Sequence, residues 1–79
     1  MDWNPINEND RRVNNIVNVF AMTPYDEGGS LKDSVVDLLA DLRHFCRVEY
    51  IDFDEANQIA ERHFQVEVSE EEEFKQKYR

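Results

Sequence analysis

A chain of 79 residues with 41% hydrophobic and 34% charged side chains lies near the lower size limit for a single hydrophobic core, which leaves room for one domain and for no enclosed active-site cavity of its own. Eighteen acids against nine bases give a net charge of −9, which repels phosphates, disfavours direct contact with DNA or RNA and selects neutral or basic protein partners. The lone Cys46 excludes an intrachain disulfide, no apolar run approaches the ~20 residues of a membrane span, and no signal-peptide-like run opens the chain, so a cytoplasmic setting is expected.

In chain order, Pro5 precedes the first predicted helix, residues 8–22, where Val13, Ile16, Val17 and Phe20 recur at the spacing of one helical face. Asn9, Asn14, Asn15 and Asn18 work against it, and residues 15–20 also fit a short strand. The segment Thr23-Pro24 to Gly28-Gly29 is a loop. Ser30 with Asp33 then forms a capping signature for a second helix, residues 30–47, with an apolar stripe of Leu31, Val35, Leu38, Leu39, Leu42, Phe45 and Cys46.

After a short link, Asp52 with Glu55 opens a third helix, residues 53–66, whose apolar face is Phe53, Ala56, Ile59, Ala60 and Phe64. Ser69 with Glu72 offers a further start signal for a marginal tail helix, supported by Glu71–Lys75 and Glu73–Lys77 pairs at i,i+4. The expected fold is all-α: a small three-helix antiparallel bundle with a short C-terminal helical tail. Its single domain spans 1–79, with an ordered core over about 8–67, an acidic tail over 69–79, and Leu38, Leu42, Phe45, Ile59, His63 and Phe64 inside.

Asp33, Asp37, Asp41 and His44 fall on the side of the second helix opposite its apolar stripe. Two carboxylates and an imidazole could form half a metal site, but a charged stripe opposite an apolar one is also the solvated face of any soluble helix, and the latter reading is preferred. His63, set between Ile59, Ala56 and Ala60, reads as a packed core imidazole. Cys46 and His44, two apart, point to different sides of a helix, which disfavours a catalytic pair. No phosphate loop, zinc spacing or nucleophile elbow occurs, so no catalytic residue, metal or cofactor is assigned and the chain does not read as an enzyme.

The stretch Ser34-Val-Val-Asp-Leu-Leu-Ala-Asp-Leu-Arg-His-Phe-Cys46, followed by Asp52-Phe53, Ala56, Ala60 and His63-Phe64, resembles a group of small helical proteins carried on bacterial plasmids, phages and integrative elements. The resemblance covers about half the chain, residues 34 to 64, and implies a mobile-element origin without a specific activity. The Asn-rich first segment, the link over residues 48–51 and the acidic tail depart from the shared pattern or extend it.

Two functions fit these features. In the first, the chain inhibits or modulates a nucleic-acid-handling defence complex of the host, as anti-CRISPR proteins do, its carboxylates standing in for phosphates in a basic groove. The binding residues would be Asp33, Asp37, Asp41 and His44 with Asp52, Asp54 and Glu55. In the second, it is an accessory protein, a homodimer or a small subunit, pairing through apolar surface that includes the aromatics Trp3, Tyr25 and Tyr50.

Overall fold

The computed structural model describes residues 3–23 and 29–78; Tyr25 and the centre of the predicted loop lie outside them. Three helices follow in order, α1 over Pro5–Met22, α2 over Leu31–Val48 and α3 over Phe53–Lys77. The all-α, three-helix expectation holds, and residues 15–20 are helical rather than extended.

Helix α1 begins earlier than the apolar periodicity implies. Asn4 is its N-cap, accepting from the backbone N–H groups of Ile6 at 2.9 Å and Asn7 at 3.3 Å. Pro5 takes the first helical position, where its fixed φ fits and its missing N–H costs no hydrogen bond. The start of α2 is as expected: the Ser30 hydroxyl accepts from the Asp33 N–H at 3.1 Å, and Asp33 Oδ2 accepts from the Ser30 N–H at 3.4 Å. Asp52 caps α3 by accepting from the Glu55 N–H at 3.1 Å.

The turn between α2 and α3 is fixed by hydrogen bonds. The Glu49 N–H donates to the Phe45 carbonyl at 2.9 Å and the Ile51 N–H to the Cys46 carbonyl at 2.8 Å, a Schellman-type closure that requires a left-handed residue between them. Tyr50 takes that role at φ 57° with its side chain almost wholly in solvent. A side chain with a Cβ pays for this conformation where glycine does not. Tyr50→Gly is therefore expected to stabilise the chain by about 1 kcal/mol, a rise in Tm of about 4–8 °C; an unchanged or lower midpoint in thermal denaturation would refute this.

No second helix start occurs at Ser69: α3 runs unbroken for 25 residues, and its C-terminal half is the platform for α1. Ile6 borders Phe74 and Tyr78, while Val13 and Ile16 border Phe64 and Val68, so α1 and α3 run antiparallel. Beyond the turn, α2 meets α3 with the Arg43 guanidinium 4.3 Å from the Phe53 ring centroid, and contact between α1 and α2 is at most marginal.

The three helices therefore form an open arrangement. The radius of gyration is 15.6 Å, against about 12 Å for a compact domain of this length. Among the described residues only Pro5 and Cys46 are buried. Cys46 lies inside, as its position on the apolar stripe predicts, but the rest of the predicted core does not follow it. Leu38 is half-buried, whereas Leu42, Phe45, Ile59, His63 and Phe64 are exposed. The expectation of a packed His63 is thus overturned. Helical periodicity assigned these side chains to one face of each helix, but α1 occupies the far half of α3, and no described residue buries that face.

Candidate interaction surface

Three surfaces arise from this arrangement. The first is the apolar stripe of α2. Leu31, Val35, Leu39, Leu42 and Phe45 remain exposed, Leu31 at 79% and Phe45 at 57%. They recur at three- and four-residue spacing from Leu31 to Phe45 on α2, so the stripe is about 21 Å long. The second is a groove of about 370 Å³ between α1 and α3, with Val13, Ile16, Phe64 and Val68 as its apolar wall and the polar groups of Asn9 and Glu71 at its edge.

That edge is held by a polar clamp. The Asn9 side-chain amide donates to the Glu67 carbonyl at 3.2 Å and to Glu71 Oε2 at 3.1 Å. Arg12 donates from Nη1 to Asn9 Oδ1 at 2.7 Å, and its Nε pairs with Glu67 Oε2 at 2.9 Å. Lys75 Nζ lies 3.4 Å from Glu71 Oε1, the i,i+4 pair expected from the sequence. The Asn9 hydrogen bond lowers the Glu71 pKa most; partial burial opposes that shift, and the Lys75 charge adds to it. Asn9 and Arg12, on a helix the sequence marks as weak, thus set the register of α1 on α3. Their spacing of three residues, facing Glu67 and Glu71 four apart, was the legible signal.

The third surface is acidic. Asp33, Asp41, His44, Asp52, Asp54 and Glu55 are exposed and Asp37 is half-buried. Asp33 and Asp52 already serve as helix-end acceptors. Asp33, Asp37 and Asp41 recur every four residues on α2, whereas Asp52, Asp54 and Glu55 lie across the turn at its other end, about 22 Å of helix away from Asp33.

His63 lines a cleft of about 230 Å³ with Trp3, Pro5, Val66 and Glu67, and Trp3 is itself 59% exposed. Among the described residues no three His, Cys, Asp or Glu side chains converge in a way that could hold a metal ion. No helix among them is long and apolar enough to cross a membrane. No protein-family model matches the chain, and no curated protein or solved structure matches it either.

Proposed function

We propose that this chain is a protein-binding accessory module that works through the apolar side of α2 and the apolar wall between α1 and α3. The observation that carries this reading is surface area. The chain exposes 6913 Å², about 1,900 Å² more than the ~5,000 Å² of a folded monomer of this mass. The excess includes the large apolar side chains that α2 and the α1–α3 groove leave in solvent, and clustered exposed apolar surface marks a macromolecular interface. A chain that buries so little of itself also gains little to offset its conformational entropy, so pairing contributes to its stability as well as its function.

A second reading, inhibition of a basic, nucleic-acid-handling complex of the host by a mobile-element protein, draws its support from charge. Residues 26–55 hold nine acids and three bases, and Asp33 on α2 with Asp52, Asp54 and Glu55 beyond the turn is exposed to solvent. One experiment separates the two readings. Leu42→Ser with Phe45→Ser should leave helicity intact and abolish association, lowering affinity at least about 30-fold. Asp37→Lys with Asp41→Lys should leave that association intact and, for a basic partner, slow only its on-rate. The reverse pattern would transfer the function to the acidic face.

A further inference from the structure

On the reading that the apolar surface is an interface, we propose that its occupant is a second copy of this chain, the α2 stripe of each copy lying in the α1–α3 groove of the other across a two-fold axis. Three observations lead there. The excess exposure of about 1,900 Å² per chain sets a ceiling of about 3,800 Å² on the surplus surface a pair can cover, which leaves room for the ~2,000 Å² or more that obligate homodimers bury. One chain carries a convex apolar element, the α2 stripe, and a concave one, the groove bordered by Val13, Ile16, Phe64 and Val68. Neither fills the other within the chain, because the hydrogen-bonded turn at Tyr50 and the Arg43–Phe53 contact fix α2 away from α1.

A two-fold axis covers both elements in both copies at once, since each contact of one copy with its partner is made again in reverse. Any other occupant would have to present a stripe and a groove of its own. Charge is compatible with this arrangement. Asp33 and Asp37 sit away from the stripe on α2, and the carboxylates at the groove edge, Glu67 and Glu71, are already paired with Arg12 and Lys75, which limits like-charge repulsion in the seam.

The test uses two substitutions at exposed positions, Leu39→Lys on the stripe and Ile16→Glu in the groove, followed by sedimentation equilibrium and circular dichroism. The wild-type chain is expected to sediment at twice its mass at micromolar concentration. Each variant alone should dimerise at least about 30-fold more weakly, because a charge is placed in the seam. Mixing the two variants in equal amounts should restore the dimer, since one of the two contacts is then wild type and the other sets Lys against Glu. Failure of the mixture to dimerise while both variants stay helical would overturn the exchange of α2 into the groove. Should either variant unfold, isotope-filtered NOEs in a wild-type dimer of labelled and unlabelled copies decide the matter: contacts between α2 and Val13 or Phe64 of the other copy are expected, and contacts between the two α2 helices alone would overturn the proposal.

A wild-type chain that remains monomeric at high concentration also overturns it, and solution scattering then separates this failure from that of the underlying reading. A radius of gyration near 15.6 Å with dye-accessible apolar surface would leave the interface in place for a different protein. A radius near the compact value of about 12 Å would mean that α2 closes on its own groove, and both conclusions would fall.

Discussion

Deletion of residues 69–79 is expected to melt α1 as well as the end of α3. Read from sequence, these residues form an acidic tail beyond the ordered core, with a marginal helix of its own. In the structure, Phe74 and Tyr78, whose rings meet at a tilt with centroids 4.7 Å apart, form the wall against which Ile6 at the start of α1 lies. Glu71 anchors Asn9. An isolated helix of 18 residues rich in asparagine and β-branched residues is marginal in water, so α1 persists only while it is docked. Circular dichroism of the truncated chain should show a loss of helix near the sum of α1 and the deleted turns. A loss limited to the deleted residues would show that α1 is held elsewhere, and the account of α3 as its platform would be wrong.

The second large effect concerns the clamp. Asn9→Ala with Arg12→Ala removes the amide's bond to the Glu67 carbonyl and the half-exposed Arg12–Glu67 pair, together about 1–2 kcal/mol at neutral pH. For a chain this small that corresponds to a fall in Tm of about 5–15 °C.

The pH dependence follows from Glu71, whose folded pKa lies below the ordinary glutamate value, chiefly because Asn9 donates to it. A group with a depressed folded pKa stabilises the fold above its unfolded pKa and loses that contribution as pH falls through the folded value. The gap in Tm between wild type and Asn9→Ala should therefore be widest near neutrality and narrow below about pH 4.5, as the Glu71 carboxylate protonates in both proteins. A gap that stays constant from pH 7 to pH 3 would mean that the Asn9–Glu71 bond carries no weight in solution. The Asn9–Glu67 carbonyl bond does not titrate, so part of the difference should survive in acid.

What the sequence determined by itself was local. Three helices, the Ser30–Asp33 and Asp52 caps, the inward position of Cys46 and the apolar side of α2 all follow from interactions within four residues of each other, and such interactions are written in the spacing of side chains. The earlier start of α1 was legible too, in Asn4-Pro5, an N-cap followed by a proline at the first helical position. The continuity of α3 through Ser69 was less so, because a capping residue reads the same whether the chain enters a new helix there or simply passes through.

Only the tertiary structure decided what each apolar face meets. Periodicity states that Leu42, Phe45, Ile59 and Phe64 are on apolar sides of their helices, but burial depends on the angle at which the helices cross. Here that angle is set by a turn closed through Cys46 and Ile51 with Tyr50 in a left-handed conformation, and by a clamp joining residues 58 and 62 positions apart in the chain. The six acids and the histidine picked out as a binding face are likewise distributed by helix length and by that turn, not by their spacing in sequence. A stripe that a closed bundle would have buried is therefore left facing outward, because hydrophobicity is non-directional and commits a side chain to leaving water without naming the surface that will receive it.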